Sequence, residues 1–104
     1  MAELLGSKDF AAHLHTVFRV EAPEVVELEL AAVKDQSNAQ VEQFSLIFKG
    51  PASLWLPQGT YTLLHPAMER MALFLVPLGA RGGRMTYEAV FARLIASTRQ
   101  ASSD

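Results

Sequence analysis

The sequence predicts a mainly β domain, a small antiparallel β-barrel or sandwich of about six strands with a short N-terminal helix. Three observations carry that expectation. Apolar and polar residues alternate with a period of two along several separate stretches, most clearly at Val26 to Leu30 and Gln43 to Phe48. Turn formers rich in Gly, Pro, Asn and Asp separate those stretches at short intervals. Half of the 104 residues are hydrophobic and 19% are charged, which supplies one core and argues against a disordered chain. The whole of 1–104 is therefore expected to form a single domain.

Ser7 is a good helix N-cap, and Phe10 and Leu14 stand four apart behind it, so 7–14 should be a short helix that plugs one end of the sheet structure. Strands are expected over 16–94. Phe18 and Val20 alternate with Arg19 and Glu21 until Pro23 stops the run. Val26, Leu28 and Leu30 alternate with Glu27 and Glu29 and continue toward Val33, so one face is core and the other acid. The polar turn 34–40 leads to a strand at 41–48 with Phe44, Leu46 and Phe48 on one face, ended by Gly50 and Pro51. Pro57 and Gly59 open the next, which carries Tyr61, Leu63 and His65. A fifth strand covers 70–78, and Ala80-Arg81-Gly82-Gly83 turns it antiparallel into a sixth over 84–94.

That last segment also fits a helix, because Tyr87, Val90, Phe91, Leu94 and Ile95 fall at helical spacing behind Thr86. The glycine hairpin just upstream and the alternate Met85, Tyr87, Ala89 and Phe91 favour a strand. Residues 97–104 should be a polar tail.

Composition narrows the function classes. The formal charge of −2 offers no basic field for phosphates, so nucleic acid is not an expected partner. The absence of cysteine removes disulfides, thiol catalysis and thiolate metal sites, and suits a reducing compartment. The N-terminal stretch lacks the basic and apolar regions of a signal peptide, and the longest apolar run, 71–78, is too short to span a bilayer. A cytoplasmic protein without a membrane partner is the expectation.

Candidate chemistry is sparse. His13, His15 and His65 are all the histidines, and nothing in the sequence draws them together with a carboxylate at metal-ligand spacing, so no metal and no cofactor is expected. Ser45, Ser53 and Thr62 sit in no nucleophile elbow, Glu27 and Glu29 suit a solvated strand face, and no P-loop is present. No catalytic residues are assigned, and the protein is not expected to be an enzyme. Arg81 and Arg84 flank a glycine pair that suits a hairpin turn better than an anion nest. Leu54, Trp55 and Leu56 stand out, being bulky and apolar where a polar loop would be expected between Pro51 and Pro57. Either they fold back as a lid on the core, or they face outward as an anchor for a partner.

The runs EQFSLIFKGP (42–51), LPQGTYTLLHP (56–66), LFLVPLG (73–79) and YEAVF (87–91), with Phe10 and Phe18 ahead of them, resemble an uncharacterised family of small bacterial domains of about 100 residues. The resemblance implies a bacterial β domain of unknown function, often encoded near phage-tail-collar or tail-fibre-like proteins, and it carries over no catalytic residue. The leading functional expectation is a non-catalytic structural, assembly or adaptor domain. It would bind a protein partner, such as a tail- or fibre-like protein, through Leu54, Trp55, Leu56, Arg81 and Arg84. Strand addition at an open edge and self-association are further routes to assembly. The alternative is a small-ligand-binding barrel lined by Phe44, Phe48, Tyr61 and Phe74, with His65 as its polar anchor.

Overall fold

The structure, a computed structural model, describes residues 6–21 and 23–94. One short helix, α1 (Ser7–Ala11), precedes six strands: β1 (Val17–Val20), β2 (Val26–Asp35), β3 (Val41–Pro51), β4 (Gly59–His65), β5 (Met68–Arg81) and β6 (Arg84–Leu94). All pairings are antiparallel, and the strands close a barrel in the order β1-β2-β3-β6-β5-β4, with β4 returning to β1. The expected mainly β class, strand number and N-terminal helix are all present.

The alternation that marked the strands is the alternation between inside and outside. Phe18, Val20, Val26, Leu28, Leu30, Phe44, Leu46, Phe48, Leu63, Leu73, Leu75 and Tyr87 are buried in one continuous core. The segment that also suited a helix is strand β6. It pairs with β3 over the full run from Val41↔Leu94 to Pro51↔Arg84, and Val90, on the helical stripe, faces outward while Tyr87 and Ala89 point in. β5 starts two residues earlier than the sequence suggests and ends three later, and β3 runs through Lys49 and Gly50 to Pro51. The β5–β6 hairpin accounts for that extension: Arg81↔Arg84 closes on Gly82 and Gly83, at φ 61° and 78°, conformations that only glycine adopts without strain.

The helix is shorter than its sequence pattern. It ends at Ala11, and 12–15 turn the chain into β1, with His15 at a positive φ of 68°. Its N-cap is Gly6, whose N–H donates to Asp9 Oδ2 at 2.7 Å. Ser7, expected in the cap, instead donates its hydroxyl to Asp35 Oδ2 at 2.6 Å, tying α1 to the end of β2. The plug role is met by Phe10, which is fully buried against Phe18, Phe44 and Phe91 with ring centroids 5.5–6.5 Å apart.

Pairing is uneven around the ring. β3 and β6 share eleven residue pairs, whereas β1 and β4 share only Arg19↔Leu64 and Val20↔Leu63. The strand polarity sorts the connections into two ends. The β1–β2 turn, the β3–β4 loop and the β5–β6 hairpin lie at one, and the α1–β1, β2–β3 and β4–β5 turns at the other. The expected tail at 97–104 lies outside the described residues.

Candidate functional site

The β3–β4 loop, 52–58, leaves β3 beside the hairpin, since Pro51 pairs with Arg84. Two hydroxyls from the core then seize it. The Leu56 N–H donates to the hydroxyl of buried Tyr87 at 2.7 Å, and the Tyr61 hydroxyl donates to the Pro57 carbonyl at 2.6 Å. Burial pushes the Tyr87 phenol above its ordinary pKa, the Leu56 N–H offsetting part of that, so the group at this junction stays a neutral phenol at physiological pH.

The two readings of Leu54-Trp55-Leu56 are therefore divided among its residues. Leu56 is the lid, 2% exposed and part of the core. Trp55, one residue before it, is 52% exposed, and Leu54 is 36% exposed. A loop held at Leu56 and Pro57 thus presents a large aromatic side chain to solvent. Two residues that the sequence did not single out lie at the same end: Val25 in the β1–β2 connection and Leu78 in the hairpin arm, both more than half exposed. Of the seven exposed large hydrophobics among the described residues, four sit at this end. The only sequence signal for them is their place beside turns, where a polar residue is the norm.

Arg81 and Arg84 are not equivalent. Arg81 is exposed on the hairpin. Arg84 is turned back along the ring wall, where it donates to Glu29 Oε1 at 2.8 Å and to the Lys49 carbonyl at 3.4 Å. Glu29 also meets His15 Nδ1 at 3.3 Å, and the Arg84 hydrogen bond, followed by that of His15, holds its carboxyl below the ordinary range. This cluster lines a shallow groove with Lys49, Glu27 and Pro51.

The alternative ligand site does not assemble as expected. Phe44, Phe48 and Tyr61 are buried, but Phe44 stacks on Phe91 at 4.6 Å and Phe48 meets Phe18 edge-on at 5.5 Å, so these rings fill the interior. Phe74 lies on the opposite, outer face and is 51% exposed. Its neighbours Leu73 and Leu75 take the inward positions that the period of two denies it. His65 is at the other end, packed on Phe18 and His13.

The histidines are divided as well. His13 and His65 face each other at 4.7 Å between ring centroids, while His15 engages Glu29 in the groove beyond. Among the described residues no three His, Asp or Glu side chains are grouped as a metal site would need, and no helix is long and apolar enough to cross a membrane.

Residues 5–91 match the family described as a domain of unknown function, DUF6916. The chain belongs to that family. The uncharacterised family of about 100-residue domains expected from the runs at 42–51, 56–66, 73–79 and 87–91 is thereby shown. No curated protein and no solved structure matches the chain.

Proposed function

We propose that this domain is a non-catalytic interaction module, a structural or adaptor component. Its contact surface is the ring end that carries Leu54 and Trp55, with Val25, Leu78 and Arg81 around them. The observation that carries the reading is the pinned loop. Trp55 stands half-exposed on a segment whose next two residues are hydrogen-bonded to buried tyrosines, so binding through it need not first order the loop. Tryptophan and arginine are the residues most enriched among energetic centres of interfaces, and an apolar centre with a charged rim is the usual anatomy of one. Leu56 belongs to the support of this surface, and Arg84 shapes the adjoining groove while paired to Glu29.

A protein is the favoured partner, with a bacterial tail- or fibre-like protein the kind that the family resemblance implies. Self-association through the same end is the other occupant. A cytoplasmic site of action fits the cysteine-free sequence. The polar clusters support a non-catalytic role in that their bonds join one structural element to another: Ser7 to Asp35, Arg84 to Glu29, Thr16 to His65.

The test is site-specific photo-crosslinking in the cells that produce the protein, with a benzophenone side chain at position 55 or, as control, at the exposed Gln40 of the opposite end. A discrete adduct from position 55 and none from position 40 is expected. No adduct from position 55, or the same adducts from both, would refute the assignment of the surface.

A further inference from the structure

The opposite end of the ring holds a chain of hydrogen bonds with a fixed direction. The Ala67 N–H donates to His65 Nδ1 at 3.0 Å, which makes that nitrogen an acceptor and leaves the ring proton on Nε2. His65 Nε2 lies 2.9 Å from Thr16 Oγ1, and the Thr16 hydroxyl spends its own proton on the His13 carbonyl. Nε2–H therefore donates to Thr16, and both imidazole nitrogens are engaged in the neutral form. The face of the ring rests on buried Phe18 at 4.5 Å, and the imidazole of His13 stands 4.7 Å away.

These bonds span the thinnest place in the fold. His65 ends β4, Thr16 immediately precedes β1, and the ladder between those strands consists of two residue pairs, with a register shift between Leu63 and His65 on the β4–β5 side. The His65–Thr16 bond is thus a third tie across the seam that closes the ring.

We propose that the His65–Thr16–His13 chain is a latch that opens on acidification and releases the β1–β4 seam. A proton taken from solvent can enter His65 only at Nδ1, where it confronts the Ala67 N–H and converts an acceptor into a second donor. The new cation then faces the imidazole of His13 across 4.7 Å between ring centroids. The other charged groups around His65 offset each other. Arg19 on β1 and Glu27 on β2 share its groove, opposite in sign and directly paired across the strands, and Arg19 is further tied to Glu21 at 2.7 Å. From the β4–β5 turn the groove receives Pro66 and Met68, which carry no charge. Burial, followed by the proximity of His13, pushes the His65 imidazole below its ordinary pKa, in the direction that the bond pattern requires.

The sign follows from linkage. A folded state that resists the proton loses stability relative to an opened state that accepts it, beginning as pH falls below about 6.5, the ordinary imidazole value, and levelling off below the depressed folded value. Native-state hydrogen exchange at pH 7.5 and 5.5, corrected for intrinsic rates, tests the latch. Protection at β1 and β4 amides should fall on acidification, toward the one-proton limit of about tenfold per pH unit, while β3 and β6 amides hold. In His65→Gln, which cannot titrate, the acid-dependent loss should vanish. Equal protection at both pH values in the wild-type seam, or an unchanged pH dependence in His65→Gln, would overturn the proposal. Should that variant not fold, nitrogen-15 imidazole shifts of the wild-type protein decide. A neutral Nε2–H tautomer with a midpoint below that of free imidazole is expected, and the Nδ1–H tautomer or a midpoint at or above the free value would overturn it.

Discussion

Tyr87→Phe removes a single oxygen from the junction between core and loop. Tyr87 is fully buried and its hydroxyl is the acceptor for the Leu56 N–H at 2.7 Å. Two responses are open to the variant. If Leu56 stays in place, a buried N–H is left without a partner, which costs about 1–3 kcal/mol. If the loop lifts to hydrate that N–H, Leu56 leaves the core and forfeits about 1.5–3 kcal/mol of apolar burial. Both routes lead to a loss of about 1–3 kcal/mol, and each kcal/mol lowers the Tm of a domain this size by about 4–8 °C. Urea denaturation followed by far-ultraviolet circular dichroism measures the loss. Because Trp55 is the only tryptophan, its native-state emission separates the routes: unchanged if the loop stays, altered if it lifts. Exchange of the Leu56 amide should rise by about one to two decades, since about 1.4 kcal/mol corresponds to tenfold. A stability loss below about 0.3 kcal/mol together with unchanged Leu56 exchange would refute the reasoning that this bond pins the loop.

Phe10→Ala removes the plug, a fully buried ring in contact with three others, and should cost about 3–5 kcal/mol by denaturant titration, with α1 the first element to lose exchange protection. Gly50→Ala should cost about 1–3 kcal/mol in the same titration, because a Cβ there would stand 2.6 Å from Leu28 Cδ2 inside a packed core and force that side chain to shift. A second acid-sensitive stage should appear in thermal melts below pH 4.5. Glu29, held down by Arg84 and then His15, and Asp35, held down by Ser7 and then Ser37, contribute stability that is present above their ordinary values of 4.5 and 3.8 and is lost as pH falls through their depressed ones. Glu29→Gln should flatten that stage without changing the one that sets in below about pH 6.5.

Strands were legible wherever one face is core and the other is charged. Val26, Leu28 and Leu30 against Glu27 and Glu29 could be assigned a face without any tertiary information, and all three are buried. Phe74 could not. It sits in Met71 to Leu78, a run apolar on both faces, which is compatible with a buried strand but shows no alternation and gives no polar residue to say which side is out. The same ambiguity hid Leu78 from the site. In β6 it left helix and strand equally supported until the hairpin glycines decided between them. Ser7 was misplaced as the cap because its actual partner, Asp35, is 28 positions away, and no local pattern encodes such a bond. The division of Leu54-Trp55-Leu56 into one lid and two exposed residues depends on the Tyr87 hydroxyl, 31 positions from Leu56. The sequence could mark the tripeptide as unusual but not sort it.

The most direct test of the interaction surface compares tagged wild-type protein with Trp55→Ala in native pull-downs from the producing cells, read by quantitative mass spectrometry. Trp55 is half-exposed and is not a member of the buried core, so the variant should melt within about 0.5 kcal/mol of the wild type, and any change in capture then belongs to the surface. A partner recovered by the wild type and reduced tenfold or more by Trp55→Ala is expected. An identical set of captured proteins at equal abundance from the two folded forms would contradict the assignment of this end as the contact surface.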